Sequence, residues 1–148
     1  MIAQERKPLW ITLGVLLLIV VVTIVILLYS REQIIARQEA ANKFQLLLKR
    51  IDNISIFYRN DIVHLNDAEF VEVMGAFSQA VDIGSSKLTR PGRAYFVLSM
   101  NDNSSGQILF RTVSDSSEDV DIIVYRRTFR LSGISPLIEQ ILSRLEDP

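Results

Sequence analysis

The chain has 148 residues, a formal net charge of −1 and no cysteine. That length holds one small folded domain with an appended segment and is too short for two ordinary domains. The lack of cysteine excludes disulfides, thiolate metal sites, cysteine nucleophiles and lipid attachment through a cysteine, and it is compatible with either side of a membrane.

Residues Leu9 to Tyr29 run without a charge and are dense in Leu, Ile and Val. A helix of that length rises about 31 Å, which matches the hydrocarbon core of a bilayer. Its backbone groups pair within the helix while its side chains face lipid. Trp10 and Tyr29 stand at the two ends, where amphipathic rings favour the headgroup region, so Leu9, Trp10 and Tyr29 delimit the predicted anchor. A signal peptide has a shorter apolar core followed by small residues at a cleavage site, whereas this run exits directly into Tyr29, Ser30 and Arg31. The expectation is an uncleaved single-pass anchor behind a short tail, residues 1–8. Gly14 is the only glycine of the span, so no glycine-type dimerisation pair occurs in it.

Flanking charge orients the span weakly: Arg6 and Lys7 precede it, and Arg31, Arg37 and Lys43 follow. A short amino tail is easily retained in the cytoplasm. The resulting expectation is a plasma or inner membrane protein with a cytoplasmic amino terminus and an extracytoplasmic domain. Without Glu5, Arg6 and Lys7 the chain keeps 14 Lys and Arg against 16 Asp and Glu. Such a balance lacks the positive footprint of a nucleic-acid binder, and no nucleic-acid partner is expected.

Residues 30–51 contain no Gly or Pro and are rich in helix formers, which predicts a helical stalk. Two readings of it stand side by side. Ile34, Ala41 and Leu48 recur at heptad spacing, giving a weak seam for homo-oligomerisation; alternatively Phe44, Leu47, Leu48 and Ile51 fold back onto the domain core. The domain follows over residues 52–148. Ile54, Ile56 and Tyr58 alternate with Ser55 and Phe57, and Arg59, Asn60 and Asp61 supply turn chemistry before Ile62 to Leu65, which reads as a β-hairpin. Asn66 or Asp67 then caps a helix with Glu69 in capping-box position and Phe70, Val73, Met74, Phe77 and Val81 on one face. Ile83 to Gly92 reads as a loop. Strands are predicted at 93–100, 107–114 and 121–131, separated by polar turn clusters and forming an antiparallel meander. Ser135 and Pro136 open a last helix with Leu137, Ile138, Ile141, Leu142 and Leu145 as its apolar face. The predicted fold is α+β: an anchor, a stalk and a small antiparallel-sheet domain in the order ββαβββα, one sheet face covered by helices and the other open.

Chemistry-bearing residues are sparse. His64 is the single histidine and falls in a hairpin strand, where a structural role outweighs a catalytic or metal-binding one. Asp67, Glu69 and Glu72 open a helix, a position suited to capping and to the helix dipole. Asp115, Glu118, Asp119 and Asp121 lack the alternating pattern and central glycine of a calcium loop and read as a solvated turn. Gly133-Ile134-Ser135 is no nucleophile elbow. Asn53-Ile54-Ser55 and Asn103-Ser104-Ser105 match glycosylation acceptors, a triplet common by chance. No catalytic residue, metal or cofactor is expected. Along strand 121–131, period two places Arg126, Thr128 and Arg130 on one face, a candidate surface for an acidic protein partner or lipid headgroups; the alternative is pairing with acidic neighbours. The expectation is a non-enzymatic interaction or accessory protein docking on a membrane complex, with a tethered ligand-sensing or substrate-binding domain as the second hypothesis. The open sheet face or the 83–92 loop would serve the latter.

Overall fold

The computed structural model describes residues 6–85, 94–112 and 118–145. The chain divides into two compact units, Met1–Gln38 and Glu39–Pro148. Helix α1 spans Arg6–Leu48 and supplies both: its apolar first part, and a last segment that belongs to the second unit. By length and composition α1 is able to cross a membrane, and the residues of its apolar stretch are exposed throughout.

The second unit is a seven-stranded antiparallel sheet with helices on one face. After α1 come β1 (Ile51–Tyr58), β2 (Asp61–His64), α2 (Asp67–Ser78), β3 (Val81–Ser85), β4 (Ala94–Met100), β5 (Ser105–Thr112), β6 (Val120–Val124), β7 (Arg127–Leu131) and α3 (Ser135–Ser143). The strand order is β2-β1-β4-β5-β6-β7-β3. The α+β class, the opening hairpin, the meander and both later helices agree with the sequence pattern. Of the two readings of the stalk, the structure takes the second: Phe44, Leu48 and Ile51 are buried in the core and Leu47 packs against it, while α1 stops at Leu48 and Ile51 begins β1.

Two differences have local causes. Strand 121–131 is two strands, because Tyr125 (φ 50°) and Arg126 (φ 63°) form a two-residue turn that pairs Val124 with Arg127. Two consecutive positive φ values suit the right-handed twist of a hairpin and are normally supplied by Asn-Gly, a signal this stretch lacks. The equivalent turn between β1 and β2, at Arg59 and Asn60, carries that signal in part. The second difference is β3. Helix α2 ends at Ser78, so Val81, predicted on its apolar face, lies exposed at the start of β3; the stretch from Ile83, which contains Gly84 and reads as loop, continues that strand, and Val81–Ser85 pairs with β7 and forms the sheet edge. A register shift between Asp82 and Gly84 interrupts that edge, and the Gly84 N–H donates to Asp82 Oδ1 at 2.9 Å. Residues 86–92 of the predicted 83–92 loop lie outside the described residues.

The core is aromatic along its length. Phe44 of α1 meets Phe129 of β7 at 4.9 Å between ring centroids and Phe77 of α2 at 6.1 Å. Phe77 sits edge-on to Phe96 of β4 at 5.2 Å, and Phe96 meets Phe110 of β5 at 4.6 Å. Each ring is buried, so the chain of contacts ties two helices to three strands. Ile138 and Ile141 bring α3 to the same face.

Helix α2 opens on a complete capping box. Asn66 Oδ1 accepts from the Glu69 N–H, and the Asn66 N–H donates to Glu69 Oε2, both at 2.9 Å. Arg144, just beyond α3, donates to the other Glu69 oxygen. Burial pushes the Glu69 carboxyl up, but the hydrogen bonds from Arg144 and from the Asn66 N–H, with the Arg144 charge, outweigh it and hold the group below its ordinary value of 4.5.

A group whose folded pKa is depressed contributes stability that is complete above its unfolded pKa and is lost as pH falls through the folded one. Acid denaturation of the full chain in detergent, followed by circular dichroism, will therefore show part of its stability lost below pH 4.5, and Glu69→Gln will remove that part of the slope. An unchanged acid limb in the variant would contradict the assignment. At the β6–β7 turn, replacing Tyr125-Arg126 by Asn-Gly relieves two left-handed residues and is expected to raise the unfolding free energy by about 1 kcal/mol in urea titration. A fall would show that these side chains hold the turn in some other way.

Candidate functional site

All three helical contributions, α2, α3 and the end of α1, pack against the sheet face that carries Ile54, Ile56, Phe96, Leu98, Ile108, Phe110, Ile122 and Phe129. The alternate residues of the same strands project from the opposite, outer face. There the register sets Ile62, Phe57, Tyr95, Leu109 and Ile123 side by side on β2, β1, β4, β5 and β6, with Thr128 of β7 next in line. Ile62 is 53% exposed, Phe57, Tyr95, Leu109 and Ile123 are half-buried, and none of these five belongs to the core cluster. Phe57 and Tyr95 stack at 4.6 Å with an interplanar angle of 18°. Four strand spacings make the row about 19 Å long.

Hydrogen-bonded groups flank the row. On one side Ser55 Oγ and His64 Nδ1 share a bond of 2.8 Å across the β1–β2 ladder, and Val97 and Gln107 continue that line. On the other side Asp121 and Arg130, cross-strand neighbours on β6 and β7, bond through two atoms each at 2.9 and 3.3 Å. The side chain of Asp121 is 5% exposed and that of Arg130 36%. The hydrogen bond to Asp121, and then its charge, raise Arg130 above its ordinary pKa.

The predicted row Arg126, Thr128 and Arg130 is thus redistributed. Thr128 and Arg130 do share the outer face, but Thr128 is buried and Arg130 is bonded to Asp121, while Arg126 stands exposed in the turn rather than on the strand. Arg127 faces inward and holds Asp82 of β3 through two bonds, at 2.6 and 3.0 Å. The remaining predicted positions have local roles. Glu69 caps and pairs as described; Asp67 lies in the first turn of α2, and Glu72 is exposed. Asp119 accepts from the Gly133 N–H at 3.3 Å, and the Glu118 carbonyl accepts from the Ser135 N–H at 3.0 Å. Asp115 lies outside the described residues. Among the described residues no three His, Cys, Asp or Glu side chains group as a metal site. His64 is exposed at the sheet edge with Ser55 as its partner. Leu9, Trp10 and Tyr29 all lie exposed on α1, at 68%, 70% and 64%.

The outer row was not apparent from the sequence, although the signal was present. Strands Ala94–Met100 and Val120–Val124 are apolar at both parities, as in Tyr95-Phe96-Val97-Leu98 and Ile122-Ile123. A sheet face open to water leaves clean alternation; these runs do not alternate. No family model matches the chain, and comparison with curated proteins and with solved structures likewise yields no match.

Removing Arg130 takes two hydrogen bonds from a nearly buried carboxylate. Arg130→Ala is expected to cost about 1–3 kcal/mol of unfolding free energy, and Arg126→Ala less than about 0.5 kcal/mol. Equal losses in urea titration would contradict the distinction between a bonded and an exposed arginine.

Proposed function

We propose that the chain is a single-pass membrane protein without enzymatic activity that presents its α+β domain to a protein partner or membrane complex. In this reading residues 9–29 are an uncleaved anchor in a plasma or inner membrane, with the amino terminus cytoplasmic and the domain outside. The observation that carries the proposal is the apolar row Ile62, Phe57, Tyr95, Leu109 and Ile123 on the sheet face away from the helices. Burying such a row against a partner removes apolar area from water at about 25 cal/mol per Å², while leaving it wet yields nothing. The apolar helix supports the second half of the proposal, since a tethered domain meets its partners at high local concentration. The bonded Arg130 leaves the predicted arginine row with little to offer an acidic partner, and the docking surface moves to the apolar stripe.

The test uses the full chain in its native membranes with a photo-crosslinking benzoylphenylalanine in place of Leu109. The expected result is a discrete protein adduct from position 109 and none from the same label in place of Glu139, which is exposed on α3. A chain that leaves the membrane on alkaline extraction, or that yields no protein adduct from position 109, would overturn the reading. A reporter after Pro148 is expected to be active only outside the cytoplasm.

A further inference from the structure

We propose that the part of α1 just beyond the apolar span lies in the phospholipid headgroup layer, with Ile34 and Ile35 against the acyl boundary and Arg31 on the lipid phosphates. This rests on reading residues 9–29 as a membrane anchor and names the surface that the next residues meet.

Helix α1 runs unbroken from Arg6 to Leu48, so the residues after Tyr29 keep its period. By that period Leu27, Leu28, Arg31, Ile34 and Ile35 form one stripe along the helix. Ser30, Gln33, Ala36 and Arg37 fall on the opposite side, and Glu32 falls off the stripe. Ile34 and Ile35 are 56% and 50% exposed. The apolar surface of the span thus continues past Tyr29 on one side only, while the other side becomes polar. A helix of this two-sided kind suits the boundary between water and acyl chains.

Height identifies what covers the stripe. At about 1.5 Å per residue Ile34 and Ile35 stand about 7.5 and about 9 Å past Tyr29. Helical side chains lean toward the N-terminus, here toward the span, and cover the surface of about one residue earlier. That brings the pair to about 6 and about 7.5 Å, and the headgroup region on each side of the hydrocarbon core is about 5–7.5 Å deep. Transmembrane helices tilt by about 20° on average. On a helix of about 5–6 Å radius, such a tilt lowers one side and raises the other by up to about 2 Å. The stripe sets which side goes down.

Arg31 fixes the chemistry of the contact. It stands about 3 Å past Tyr29. Its stem follows apolar surface while the guanidinium rises to the phosphates, whose oxygens match its fork of donors. Glu32, which phosphate would repel, lies off the stripe. A second copy of the helix is the poorer occupant, because a two-fold seam along the stripe would bring Arg31 toward its own counterpart.

The experiment uses purified full-length chain reconstituted in phosphatidylcholine vesicles. Because the chain has no cysteine, one cysteine carries one spin label. Depth is read from its relative access to oxygen, which enters the acyl chains, and to a water-soluble nickel chelate. Labels replacing Ile34 and Ile35 are compared with labels replacing Gln33 and Ala36, two pairs centred on the same height, so that the rise along the helix cancels. The pair at 34 and 35 is expected to lie about 3 Å deeper. Arg31→Glu should remove about half of that difference or more by setting a carboxylate against the phosphates. Equal depths for the two pairs, with a label in place of Leu18 deep in the hydrocarbon, would exclude the headgroup contact and leave the anchor standing. A label at 18 that meets the nickel chelate freely would overturn both. Spin–spin broadening between chains at 34 and 35, with access to neither reagent, would show a second copy on the stripe and overturn the lipid contact. An unchanged difference in the Arg31→Glu chain would overturn the role given to Arg31.

Discussion

A seven-stranded sheet has two faces, and the described residues of this chain seal only one of them. The seal is the line of rings from Phe129 through Phe44 and Phe77 to Phe96 and Phe110, which binds the end of α1 and helix α2 to the middle of the sheet. Everything on the outer face follows from that choice of side. Once Ile56, Phe96, Ile122 and Phe129 point inward, Phe57, Tyr95, Ile123 and Thr128 must point outward, because successive residues of a strand alternate. The outer row is therefore a consequence of the core, and it can be removed only by changing residues that the core does not use.

The charged residues are arranged so as not to disturb either face. Strand β7 alone contributes two ion pairs on opposite sides of the sheet, Arg127 to Asp82 inward and Arg130 to Asp121 outward. Each holds a carboxylate whose side chain is 5% exposed and stitches β7 to a neighbour, β3 in one case and β6 in the other. Arg144 pairs with the buried Glu69, whereas Arg50, just past the end of α1, pairs with the exposed Asp102 of the β4–β5 turn. On the outer face Asp121 and Arg130 pair with each other.

Much of the architecture was legible because local chemistry and fold agree. Asn66 and Glu69 announce α2 through a capping box that forms as written, and Arg59-Asn60 announces the first hairpin. The β6–β7 turn was illegible for a physical reason: tertiary pairing of Val124 with Arg127 imposes positive φ on Tyr125 and Arg126, residues that do not choose it unaided. Strand β3 was illegible because five residues with an internal glycine carry almost no periodic signal and gain their structure from β7. The site suffered most. Placing Arg126 with Thr128 and Arg130 depended on a strand that the turn divides, whereas the apolar row requires the register of five strands, three of its members, Tyr95, Leu109 and Ile123, being distant in sequence from Phe57 and Ile62. What a single strand could show was only that Tyr95-Phe96-Val97-Leu98 fails to alternate.

The central claim is that the outer face is covered in the membrane and bare in the isolated chain. Because the chain has no cysteine, a single Ile123→Cys substitution reports on that face alone. The direct measurement is the rate of maleimide labelling at position 123 in native membranes and after dilution into detergent, with Gln140→Cys as the exposed reference. The account predicts labelling at 123 that is slow in membranes and accelerates on dilution while the reference stays constant. Equal, rapid labelling of position 123 in both states would show a face that nothing covers.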